Sequence, residues 1–161
     1  MRSPLAAPPA PLTAPVALLL TVLLAVAGSV AVPSTAHAAG AAAYEKSAHK
    51  KTNAQRTKRD LVALRKQKCV QRFADRQARR MAKQERMIHQ DLQKVLDACD
   101  LSAVAENVAE GYGSGKAVVK GWMGSPGHRA NILTERYRLL GVGAARDDDG
   151  RWYAAQVFGR K

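Results

Sequence analysis

Two extended runs near the C-terminus, residues 139–146 (LLGVGAAR) and 151–158 (RWYAAQVF), are joined by Asp147, Asp148, Asp149 and Gly150. An Asp-Gly pair between such runs signals an antiparallel hairpin, because the turn needs a residue that tolerates positive φ. Before Leu101 the apolar residues instead follow three- and four-residue steps, the period of helices. Helices first and an antiparallel pair afterwards fit a layered α+β domain rather than a doubly wound parallel α/β fold.

In residues 52–67 the apolar Leu61, Val62 and Leu64 are sparse among charges, which predicts a helix burying one narrow stripe. Val70, Phe73, Ala74, Ala78 and Met81 then recur with Arg and Lys between them, as in a strongly amphipathic helix. Leu92, Val95 and Leu96 predict a further short helix before Cys99. Gly111, Gly113 and Gly115 mark a loop, and Ser114 is placed to cap a helix that starts near Lys116 and buries Val118, Val119 and Trp122. Ser125-Pro126 reads as an N-cap followed by proline at the first helical position, which puts His128 third in the next helix. The positive end of the helix dipole disfavours imidazolium there, so a neutral His128 is expected.

Residues 1–38 have the features of a secretory signal. Arg2 is the only charge before Glu45, residues 16–27 (VALLLTVLLAVA) are short for a membrane span, and Ala36-His37-Ala38 offers small residues for cleavage after Ala38. An uncleaved anchor is the alternative. Residues 39–47 (AGAAAYEKS) lack apolar periodicity and read as a flexible leader, leaving 48–161 as one domain with a modest core.

Secretion bears on the two cysteines. In an oxidising compartment Cys69 and Cys99 are expected to pair, a constraint worth roughly 2–4 kcal/mol in the chain-entropy picture, with two buried thiols as the alternative. The charge is lopsided: residues 45–94 carry 16 Lys and Arg against 5 Asp and Glu, whereas residues 95–161 carry 9 against 8. A basic helical face of that kind suits anionic cell-wall or cell-surface polymer, or it is a solvated face. Nucleic acid is not expected, because Phe73 is the only aromatic residue in the basic stretch and no stacking platform exists.

His89, Glu106 and His128 bring together the side-chain types that a zinc site or an acid/base cleft requires, while His37 and His49 look removed or peripheral. Glu106 lies among apolar residues and needs a partner: His89, His128 or a backbone amide. Ser125 is accounted for as a cap, Trp122 as core and Asn107 as a loop-holding side chain; Tyr112 and Tyr153 line a pocket or finish the sheet face.

Asn53 and Arg56, Met87 to His89, the AENV block at 105–108 with Gly111-Tyr112, WMGSPGHRANIL at 122–133, Gly141-Val142-Gly143, Tyr153 and Gln156-Val157-Phe158 together carry a family resemblance. The chain resembles bacterial CAP (SCP-like) domains, the family of cysteine-rich secretory proteins, antigen 5 and pathogenesis-related protein 1. The resemblance covers essentially the whole of 48–161. It implies an α-β-α sandwich and a cleft that in animal and plant members holds two His and two Glu, and in some members a divalent metal such as zinc binds there. His89 and Glu106 match the first His and first Glu. Ser125 stands at the second Glu and Tyr153 at the second His, with His128 as a substitute imidazole.

Family resemblance does not fix an activity. The favoured expectation is a secreted, monomeric, non-enzymatic binding module whose cleft (His89, Glu106, His128, Tyr112) takes a small ligand, a lipid or a divalent cation, with no membrane span after signal cleavage. A metal-assisted hydrolase with Glu106 and His128 as catalytic candidates is the second reading, although no His-Glu-x-x-His motif is present. A purely structural extracellular domain is the third.

Overall fold

A computed structural model describes residues 35–161, with side chains from Gly40 onward. The expected signal segment therefore lies outside the described residues, except that residues 35–38 already form the start of a helix. At the centre is a sheet of β1 (Arg65–Lys66), β2 (Ala103–Glu110), β3 (Leu139–Arg146) and β4 (Trp152–Arg160) in the order β1-β3-β4-β2. The expected hairpin is β3–β4, paired from Leu139↔Gly159 to Arg146↔Trp152. Its turn is held by Gly150 at φ 81° and by the Asp147 carboxylate, which accepts the Arg151 N–H at 2.8 Å. β2 runs antiparallel along β4 from Ala103↔Arg160 to Glu110↔Tyr153, whereas the two-residue β1 is parallel to β3.

Side chains alternate across this sheet, and each face is covered by helices, giving an α-β-α sandwich. One face presents Ala105, Leu140, Val142, Ala154 and Phe158 to α1 (Thr35–Thr57), α4 (Gly115–Gly124) and α5 (Pro126–Leu133), with Trp122 and Ile132 buried between the layers. The other presents Val108, Leu139, Tyr153, Ala155 and Val157 to α2 (Lys68–Lys83) and α3 (Leu92–Cys99). Helix α2 lies close on β3 because two glycines face it: a Cβ at Gly141 would sit 2.5 Å from Val70 backbone, and one at Gly143 2.2 Å from the Ala74 carbonyl. Cys69, at the start of α2, is disulfide-bonded to Cys99 at the end of α3, tying the two helices of this layer together.

Two sequence expectations are corrected. Residues 39–47 are not a flexible leader: they are part of α1, and Tyr44 is buried with its ring 4.8 Å from that of Trp152. Alanine favours helix without registering as an apolar stripe, and the partner that orders this stretch lies in β4, far along the chain. Nor is 52–67 a helix. α1 stops at Thr57, Asp60 takes a left-handed φ of 59°, and the Asp60 and Leu61 N–H groups bond back to the Thr57 and Arg56 carbonyls, the Schellman pattern of a helix end. Leu64 is then buried in an extended segment and Val62 is left exposed.

Arg56 is fully buried at this helix end. Its guanidinium donates to the carbonyls of Val62 (2.9 Å), Ile132 and Thr134 (2.8 Å each) and Tyr137 (3.3 Å). One planar fork thereby ties the end of α1 to the end of α5 and the entry to β3.

Candidate functional site

The site forms on the outer edge of β2, which among the described residues pairs only with β4. Glu106 points its side chain toward the α2–α3 layer and is 5% exposed. The connection between those helices runs past it and supplies the partners that a buried carboxylate requires. Oε1 accepts from His89 Nδ1 at 2.7 Å and from the Gln90 backbone N–H at 3.2 Å, and Oε2 accepts from Gln90 Nε2. A carboxylate accepts hydrogens, so in the neutral ring Nδ1 carries the proton and the lone pair falls on Nε2. The His89 side chain is 59% exposed, so this oriented imidazole faces solvent.

On the other side of the same edge stands α5, with His128 third from its start as expected. Its protonation is disfavoured first by burial and second by the charge of nearby His89. α5 is anchored through two asparagines. Asn131 donates to the Glu106 carbonyl at 3.2 Å and to Asn107 Oδ1 at 2.9 Å, while Asn107 donates to the His128 carbonyl at 3.1 Å and to Gln156 Oε1 at 3.0 Å. Gln156 in turn donates to Thr52 Oγ1 of α1 at 2.7 Å. This row of side chains crosses the interior from α5 to α1 with its amide groups paired, so it rigidifies the edge without leaving a polar group stranded.

Residues 49–158 match the family model of the cysteine-rich secretory proteins, CAP. The chain belongs to the CAP family. It is 30% identical over 135 residues to the uncharacterized protein YkwD of Bacillus subtilis, covering 79% of this chain and 51% of YkwD. Among solved structures it is similar to an extracellular protein containing an SCP domain from Bacillus anthracis, at 26% identity and a TM-score of 0.67 over 75% of this chain and 41% of that one. It also shares the fold of a cysteine-rich secretory protein from Staphylococcus aureus, at 22% identity and a TM-score of 0.65 over 75% of this chain and 39% of that one. The chain thus spans about half the length of YkwD and less than half of these two solved structures.

Several site expectations for this CAP domain change. The three-ligand set His89, Glu106 and His128 is not assembled: among the described residues no three His, Cys, Asp or Glu side chains converge closely enough to hold a metal ion. The reason is local, since both Glu106 oxygens are turned onto His89 and Gln90. The donors present do not fit a three-ligand catalytic zinc. Tyr112 is not part of the edge. It lies against α4, where a Cβ on Gly121 would meet its hydroxyl at 2.4 Å, on the opposite face of the sheet from Glu106. Ser125 starts α5 through its backbone carbonyl, which accepts the Arg129 N–H at 2.8 Å, and its hydroxyl makes no capping bond. Tyr153, at the family's second-His position, is buried beside Met81 and Val108. Asn107 holds a strand and a helix rather than a loop. Gln90 escaped notice in the sequence; its adjacency to His89, opposite a lone internal Glu, was its only signal.

Proposed function

We propose that this chain is an extracellular CAP-domain binding protein that presents two imidazoles, His89 and His128, to a small polar ligand or a divalent cation at the β2 edge. What carries the reading is the buried Glu106 carboxylate behind an exposed His89. That arrangement leaves Nε2 free and fixed in direction, as outer carboxylates do for ligating histidines. A cation bound there supplies a Lewis-acid contact for an oxygen of a further ligand; the chain's part is to hold two ring nitrogens and to keep Glu106 as their orienter. The disulfide, the signal-like N-terminus and the extracellular CAP protein from B. anthracis support secretion.

The basic face belongs mainly to α2. Lys68, Arg72, Arg76, Arg79 and Lys83 follow three- and four-residue steps on its exposed side, and among the described residues no ion pair involves that helix. This stripe docks the domain on anionic cell-surface polymer. Binding to such polymer should weaken steeply with added salt. Salt-insensitive binding would contradict the docking role.

A zinc titration followed by calorimetry tests the edge. One site of modest affinity is expected, lost in His89→Ala, His128→Ala; identical isotherms for the two proteins would overturn the assignment. A second reading, hydrolysis, draws on the same pair, because a carboxylate-oriented imidazole is also the arrangement of a general base. It requires turnover of a peptide or ester that His89→Ala abolishes.

A further inference from the structure

A second cluster of ionisable groups stands at the other edge of the sheet. β1 pairs only with Leu139 and Leu140, so on this side β3 continues beyond it without a neighbouring strand among the described residues. Two side chains take that strand's place. Gln71 donates to the Val142 carbonyl at 2.6 Å and accepts its N–H at 3.2 Å, and Glu45 accepts the Ala144 N–H at 3.2 Å. Beside them opens a cleft of about 450 Å³ lined by Glu45, Lys46, Lys50, Lys66, Ala42 and Val142. The three lysines are exposed, and among the described residues none of them forms an ion pair. His49 also lines the cleft; burial and the charge of Lys66 disfavour its protonation, and its Nε2 is buried without a partner among the described residues.

The volume is that of a small-molecule site, the two wall side chains are already fixed by β3, and three ammonium groups share the opening with one carboxyl. We propose that this cleft binds a small organic monoanion, a carboxylate carried on a short apolar body. The carboxylate lies among Lys46, Lys50 and Lys66, and the apolar body lies against Ala42, Val142 and the lysine stems. This site is independent of the His89 edge and of the function proposed for it.

Glu45 gives the proposal a distinctive signature. Its carboxyl is pushed up to about 7, first by burial and then by Asp75, against the opposing pull of the Ala144 N–H, Lys66 and Arg79. The groups that face it are Lys46, His49 and Lys50 on α1, Lys66 on β1, and Asp75 and Arg79 on α2. A bound carboxylate favours the protonated form of Glu45, so binding takes up a proton and weakens as pH rises through neutrality.

The test is a titration of the ¹⁵N-labelled protein with hexanoate, which does not itself titrate between pH 6 and 8, beside hexan-1-ol and sulfate. Hexanoate should shift the Val142 and Ala144 amides saturably and the other two should not. Lys66→Gln, at an exposed position, should weaken hexanoate roughly fivefold while leaving the rest of the spectrum in place. Affinity should fall from pH 6 to pH 8, and Glu45→Gln should flatten that dependence. Equal shifts from hexan-1-ol, equal saturation by sulfate, or unchanged affinity in Lys66→Gln would each overturn the proposal.

Discussion

The two edges of the sheet are closed by the same device and left in different electrostatic states. At β2 the exposed backbone is met by Asn131, and the nearby carboxylate, Glu106, accepts from His89 and twice from Gln90. At β3 the backbone is met by Gln71 and Glu45, and Glu45 accepts a single backbone N–H with Asp75 close by. Both solutions prevent an open edge from pairing with another chain. The difference lies in donors. A carboxylate with several partners becomes a fixed orienter of its neighbour, whereas one with few partners keeps a proton near neutrality and becomes a sensor of nearby charge.

The largest expected effect comes from removing what anchors α5 beside the β2 edge. Arg56→Met leaves four carbonyls without their donor and should cost about 3–5 kcal/mol in chemical unfolding, with amide exchange rising first in α5 and at the entry to β3. Loss of less than about 1 kcal/mol would show that Arg56 is not the anchor. Next comes Glu106→Ala, which strands the His89 and Gln90 donors and should cost about 2–3 kcal/mol.

At the β3 edge the effect depends on pH. Folding raises the Glu45 value from 4.5 to about 7, so the folded protein holds that proton more tightly than the unfolded chain. The stability this contributes is full below 4.5 and is lost as pH rises through 7. Glu45→Gln should therefore match the parent in mild acid and exceed it above neutrality by about 1 kcal/mol, a figure reduced because the carboxyl is partly in solvent. A gain that is the same at both pH values would refute the protonation account. The smallest effect lies at neither edge: Asp60, at φ 59°, ends α1 in the left-handed region, so Asp60→Gly should raise stability by about 0.5–1 kcal/mol.

The hairpin, the amphipathic α2 and the Ser125-Pro126 helix start were legible because each rests on local chemistry: an Asp-Gly turn, a 3.6-residue period, a proline at the first helical position. His89, Glu106 and His128 were legible as residue types in signature-like blocks, and the structure does bring the first two into contact. What was hidden depends on partners far along the chain. The Ala-rich start of α1 is ordered by Trp152, and β2 exists because β4 is beside it, despite Glu106 and Asn107 in its middle. The direction of the Glu106 carboxylate, which separates an orienter from a metal ligand, was set by Gln90, a residue with no pattern of its own.

Glu106 holds His89 with its proton on Nδ1 and its lone pair outward. A ¹⁵N–¹H long-range correlation spectrum of the imidazole rings at mildly alkaline pH reads this tautomer directly. His89 should be protonated at Nδ1 in the parent protein and should revert toward the Nε2–H form of a free ring in Glu106→Ala. An Nε2–H ring in the parent, or the same tautomer in both proteins, would contradict it.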